Sequence, residues 1–187
     1  ASEILAGALQ DYGRAVIIGD ASTHGKGTVQ SLIQLKHWLR RRIPEDVNPG
    51  ALKITIKKFY RASGASTQLK GVQPDVILPS INNHAEVGEA SLDNALEWDS
   101  VDPAPFEKCN WIEPYLAELR RRSDQRVATN LDFAFVREEI ERYQKKLATK
   151  TISMNEARRL KEKKEADQRR EARKNELENR PYPPGHV

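Results

Sequence analysis

At 187 residues the chain is long enough for one domain with a buried core, or a small domain with an appendage. Apolar residues make up 38% and no run approaches the roughly 20 that a membrane-spanning helix needs, while the single cysteine, Cys109, excludes a disulfide scaffold. The net charge of +4 is unevenly placed: residues 1–100 hold 11 basic and 11 acidic groups, so the whole excess lies in residues 101–187, and a neutral globular piece with a charged, mixed-sign tail fits better than a uniformly basic nucleic-acid-binding domain.

In chain order, Ile4, Leu5, Ala8 and Leu9 have helical spacing, with Ser2 as a cap and Gly13 as the left-handed stop. No secretory n-region or h-region is seen, so a targeting signal is expected upstream. Ala15–Gly19 is a continuous β-branched run, the pattern of a buried strand, followed by a loop over 20–27. Residues 28–35 continue as strand, 36–50 form a basic connection bearing Pro44, Pro49 and Gly50, and 52–60 alternate as a half-exposed strand. Ser63–Ser66 marks a turn, and 74–79 is a short strand between Pro74 and Pro79. Helix, glycine, strand and glycine-bearing loop together predict an α/β layer over about residues 1–80.

Beyond residue 80 the pattern becomes helical. Val87, Leu92, Ala95 and Leu96 predict a helix over 86–98, and Asp102–Pro105 is a linker, so 81–105 is a connecting segment. Residues 106–187 are expected to be a charged helical extension, with amphipathic helices over 111–120 and 133–147 and a third over 154–180. That third helix has 10 basic and 7 acidic groups in its last 25 residues and hardly any apolar face. Glu165 and Arg169 stand at i, i+4 in the favourable order. Acids interleaved with the bases, and no aromatics to stack on, favour a solvated or docking helix over a nucleic-acid contact.

The chemistry concentrates in Gly19-Asp20-Ala21-Ser22-Thr23-His24-Gly25-Lys26-Gly27-Thr28-Val29-Gln30. A phosphate loop is refused: the glycine spacing is one residue too long, Gly27 stands where a magnesium-holding hydroxyl is required, and a strand follows. Lys26 is then either a solvated loop lysine or a general base. The second role needs burial to depress its pKa, with the flanking glycines allowing close walls around the stem. Gln30, four residues on, is spaced to share a side of a strand with Lys26. Asp20 and His24 lack a third metal ligand nearby, Ser22 would reach Lys26 only if the loop folds back, and His37, His84 and His186 are scattered. Cys109 has no neighbouring base and is expected to be inert.

Ala1–Asp11, Arg14–Gly19, Gly25–Gln30, Lys57–Tyr60, Ser63–Gln68 and Lys70–Val76 occur in an order and spacing that resemble the C-terminal processing peptidases, the tail-specific serine proteases. Asp93–Asp99 and the charged tail are similar to the extension of the periplasmic members. The resemblance implies a Ser/Lys dyad in which Lys26 takes the nucleophile's proton and Gln30 orients the lysine. The backbone N–H of Ala1 would belong to the oxyanion hole. The serine would fall immediately before Ala1, so the 187 residues alone are expected to be inactive. No metal or other cofactor is implied. Expected partners are proteins with apolar C-termini, together with an adaptor lipoprotein or self-association, in a bacterial periplasm or cell envelope. The alternative is a non-catalytic scaffold whose helical extension docks a protein partner.

Overall fold

The computed structural model describes residues 2–39, 42, 44 and 46–181. Helix α1 (Ser2–Asp11) ends where Gly13 takes a φ of 64°, as expected, and Ser2 stands inside its first turn. Strand β1 (Ile18–Gly19) pairs in parallel with β4 (Val76–Ile77), whereas β2 (Thr28–Gln34) pairs antiparallel with β3 (Ala51–Lys58). The α/β part is therefore two separate two-stranded sheets beside α1.

Three expectations need correction. The strands foreseen over 15–19 and 74–79 are two residues each, and Ile18 and Ile77 are more than half exposed. With one partner apiece their outer edges and outward side chains stay uncovered. The connection 36–50 begins with a short helix, α2 (Leu35–Leu39). Residues 86–98 form no α-helix. Gly88, at a φ of 96°, breaks the path, a single 3₁₀ turn (Glu89–Ser91) stands in the segment, a second (Ile81–His84) precedes it, and Val87, Leu92 and Leu96 find no face to bury.

Helices α3 (Glu113–Thr129), α4 (Leu131–Thr149) and α5 (Glu156–Glu178) appear where periodicity predicts helices; α4 and α5 differ from the expected bounds by two residues at each end, whereas α3 runs on past 120 to Thr129. In α3, Pro114 occupies the first turn, where its missing N–H costs nothing. The Glu118 carboxyl is held down to about 2 by hydrogen bonds from Arg121 and Arg122. Arg120 Nε donates to the Asp75 carbonyl at 2.8 Å, which seats α3 beside β4. Between them lies an apolar cavity of about 300 Å³, lined by Val16, Ile18, Val76 and Leu78 on one side and by Leu119 and Phe133 on the other.

Among the described residues buried hydrophobic side chains are few: Val72, Val76 and Ile140. Polar contacts do much of the tying instead. Arg61 spans α1 by donating to Asp11, to Gln10 Oε1 and to the Gly7 carbonyl, and Gly7 has no side chain to obstruct it. Asp75 accepts from the Ile17 N–H and from Gln10 Nε2. An extended stretch returns to the end of α1: Cys109 N–H donates to the Tyr12 carbonyl, Trp111 N–H to the Gly13 carbonyl, and Phe106 packs on Tyr12 with ring centroids 5.1 Å apart.

The chain divides into two compact units, residues 1–145 and 146–187. Within the second, Asn155 caps α5 by accepting from the Arg158 N–H, and pairs such as Arg158–Glu162 and Lys174–Glu178 stabilise the helix in place of an apolar stripe. No helix among the described residues is long and apolar enough to cross a membrane.

Candidate active site

The loop from β1 to β2 lies against residues 66–72, and glycines make that approach possible. A Cβ on Gly25 would stand 2.9 Å from the Leu69 carbonyl carbon, and one on Gly27 2.6 Å from the Gln68 nitrogen. Both glycines are buried. Lys26 between them points outward and is exposed, so the glycines serve backbone packing and do not wall in the lysine stem, contrary to expectation. Leu69 N–H donates to the Gly25 carbonyl at 2.8 Å, and Phe59 N–H donates to the Gly27 carbonyl at 2.7 Å.

Lys26 Nζ donates to Gln30 Oε1 at 3.0 Å. Gln30 stands in β2 immediately after the register shift between Val29 and Gln30, where the ladder passes over Ile56 of the partner strand. Such a bulge bends the pairing and re-aims the side chains beside it. The two residues singled out from sequence are thus in contact, although Lys26 itself precedes the strand.

Glu3 ties this loop to the start of α1. Its Oε1 accepts from the Gly25 N–H at 2.7 Å and from the Thr23 hydroxyl, and its Oε2 accepts from the Lys26 N–H at 3.1 Å. Thr23 Oγ1 in turn accepts from the Val72 N–H at 2.8 Å. A carboxylate accepts only, so three converging donors suit it. Neither Glu3 nor Thr23 stood out in the sequence, apart from the acid in the first helical turn, where it favours the helix dipole.

Beneath the loop, Ser66, Thr67 and Gln68 are almost wholly buried. Gln68 Oε1 accepts from the Gly27 N–H at 2.9 Å and its Nε2 donates to Glu89 Oε1 at 3.4 Å. His24 Nε2 lies 3.5 Å from Glu89 Oε2, and Glu89 N–H donates to the His24 carbonyl at 2.7 Å. Asp20 turns elsewhere, accepting from Asn82 Nδ2 at 2.9 Å, so the Asp20–His24 spacing has no common focus.

The remaining candidates lie apart from this cluster. Ser2 is exposed in the first turn of α1, Ser22 is exposed in the loop, and Cys109 is exposed at its backbone contact with Tyr12. His84 Nδ1 is 3.2 Å from Gln144 Nε2, and His37 is exposed on α2. Ala1, expected to contribute an oxyanion N–H, and His186 lie outside the described residues.

Residues 1–78 match the family described as Peptidase family S41, and residues 82–183 match the C-terminal domain of tail specific protease (DUF3340). The chain belongs to the tail-specific protease family. Among its relatives, the tail-specific protease of Haemophilus influenzae is 39% identical over 174 residues, which is 91% of this chain and 24% of that protein. The carboxy-terminal-processing protease of Bartonella bacilliformis is 45% identical over 78 residues, 42% of this chain and 15% of that protein. The chloroplastic carboxyl-terminal-processing peptidase 3 of Arabidopsis thaliana is 40% identical over 76 residues, 41% of this chain and 12% of that protein. The chain thus spans about a quarter of the length of the Haemophilus tail-specific protease.

Proposed function

We propose that this chain supplies the general base and the C-terminal module of a serine endopeptidase that cleaves proteins recognised by their C-terminal tails. On this reading residues 1–80 are the C-terminal part of the peptidase core, 81–105 connect, and 106–187 are the helical extension. The observation that carries the reading is the Glu3 clamp. It ties the first turn of α1 to the peptide groups of Gly25 and Lys26, so a serine immediately before Ala1 would be anchored near the lysine.

In the proposed cycle the serine hydroxyl attacks the scissile carbonyl as Lys26 Nζ accepts its proton, and the Ala1 N–H helps hold the oxyanion. The ammonium then returns the proton to the leaving amine, and water hydrolyses the acyl-enzyme by the same route. Lys26 must be neutral to begin. In this reading the bound substrate and the rest of the peptidase core cover the exposed lysine and exclude water from it. Gln30 Oε1 orients the amine through the 3.0 Å contact. The 187 residues alone, without the serine, would not hydrolyse peptides. The substrates are proteins with apolar C-termini, the location is the bacterial periplasm or cell envelope, and the extension docks an adaptor lipoprotein or a second copy. Alternating charges on α5 suit a protein partner better than nucleic acid.

The test is Lys26→Ala in the intact protein, assayed on a substrate with an apolar C-terminus. Loss of a general base lowers kcat on the order of 10²- to 10⁴-fold. Undiminished cleavage refutes the dyad, and a residue other than serine before Ala1 turns the reading to a non-catalytic scaffold.

A further inference from the structure

Glu89 is a buried charged residue that the proposed chemistry leaves unused, with a relative exposure of 8%. Burying a carboxylate is costly unless donors surround it. Gln68 Nε2 donates to its Oε1 at 3.4 Å, and His24 Nε2 lies 3.5 Å from its Oε2. Its backbone is fixed as well: Glu89 N–H donates to the His24 carbonyl at 2.7 Å. A Cβ on the preceding Gly88 would stand 2.8 Å from the same oxygen.

The consequence lies in the Gln68 amide. An amide has one accepting and one donating end, a carboxylate only accepts, and a backbone N–H only donates. Glu89 therefore draws the Gln68 NH₂ toward itself and turns Oε1 to the Gly27 N–H, the peptide group that follows Lys26. Gln68 is fully buried, so no water competes for either end. Glu3 grips the N–H groups of Gly25 and Lys26 on one side of the lysine, and the Glu89–Gln68 pair grips Gly27 on the other. In the second grip Gln68 belongs to the stretch that matches the peptidase family, and Glu89 behind it to the stretch that matches the C-terminal domain.

We propose that Glu89 is a positioning residue for the proposed proteolysis, fixing the polarity of the Gln68 amide and through it the peptide that carries Lys26. This rests on the reading of Lys26 as general base. The C-terminal domain thereby completes the catalytic loop from within the same chain.

The test compares Glu89→Ala, Glu89→Asp and Glu89→Gln in the intact protease, with Lys26→Ala as reference, by steady-state cleavage and by amide hydrogen exchange. Glutamine keeps an acceptor for Gln68 and stays within about threefold of the wild-type kcat. Alanine strands the buried amide and loosens the loop, lowering kcat about 10- to 100-fold, because small misplacements of a reacting group cost that much. KM stays within about twofold, since nothing in the pair is placed to touch substrate. Aspartate withdraws the carboxylate by one methylene and falls between the two, and it keeps the comparison open if the alanine protein does not fold. Exchange of the amides of residues 24–27 speeds up in the alanine and aspartate proteins and not in the glutamine protein. Unchanged exchange and kcat in Glu89→Ala, or in Glu89→Asp should alanine fail to fold, overturns the proposal, as does a glutamine protein as impaired as the alanine one. Full activity of Lys26→Ala refutes the base reading separately, and the exchange data still decide whether Glu89 holds the loop.

Discussion

Removing the Asp11 carboxylate tests how α1 is held in place. Its Oδ2 accepts from Arg61 Nε at 3.1 Å, from the Ser63 N–H at 3.3 Å and from Ser63 Oγ at 3.1 Å, and Oδ1 takes the second arm of the guanidinium. The side chains are 7% and 14% exposed, so the pair is largely out of water. Asp11→Ala leaves Arg61 with two neutral acceptors, Gln10 Oε1 and the Gly7 carbonyl, while the exposed Ser63 donors turn to water. Breaking one side of a buried pair costs about 3–5 kcal/mol, and the surviving acceptors place this case near 3. For a domain of this size, with a melting shift of roughly 2–4 °C per kcal/mol, that is a fall of about 6–12 °C. Thermal unfolding of the intact protein followed by tryptophan fluorescence reads it, because Trp111 lies under Arg14 next to the end of α1. Asp11→Leu combined with Arg61→Met removes both charges and should recover most of the loss. A loss below about 1 kcal/mol in Asp11→Ala would refute the reasoning and leave apolar contacts as what seats the helix.

Three further outcomes follow from the same geometry. Gly27→Ala places a Cβ 2.6 Å from the Gln68 nitrogen and should cost about 1–3 kcal/mol in the unfolding transition while depressing cleavage, measured by melting and by steady-state kinetics. The Lys58–Asp99–Tyr60 cluster gives stability a pH window. Hydrogen bonding from Lys58 lowers the Asp99 pKa, a contribution present above the ordinary carboxylate value and lost as pH falls through the lowered one. The hydrogen bond to Asp99 raises Lys58 and desolvation raises Tyr60, contributions present below their ordinary values and lost as pH rises through the raised ones. Asp99→Asn should flatten both limbs of a melting-temperature profile. In a peptide spanning 155–180, Asn155→Ala should cost α5 about 1 kcal/mol of helix stability, and added salt should lower its helicity by screening the i, i+3 and i, i+4 pairs, both read by circular dichroism.

The long helices were legible because their cues are local: apolar residues at helical spacing over 111–120 and 133–147, and Glu165 and Arg169 at i, i+4 in the charged tail. The segment 86–98 misled because its helical spacing of Val87, Leu92 and Leu96 counts only if a face exists to receive them, and Gly88 takes the chain another way. Strands 15–19 and 74–79 shrank because a β-branched run becomes strand only as far as a partner extends. At the site, Lys26 and Gln30 lie four residues apart and their contact was within reach of pattern reasoning. Glu3, Gln68 and Glu89 were not, since they meet the loop or each other across 20 or more residues and nothing in their own neighbourhood marks them. Buried polar groups gain their importance from donors that only tertiary structure delivers.

The stretch ending at Trp111 returns to α1 by two backbone hydrogen bonds and an aromatic contact. The two family matches meet between residues 78 and 82, yet this return crosses that border and closes the end of the helix that leads from the proposed serine. Trimming the chain at the border would uncover the Tyr12 and Gly13 carbonyls and the Tyr12 ring together. Exchange of the C-terminal domain among related proteases is then constrained by chemistry at both seams, Glu89 at the loop and residues 106–111 at the helix. A transplanted domain that fits one seam and misses the other would fold beside its peptidase without completing it.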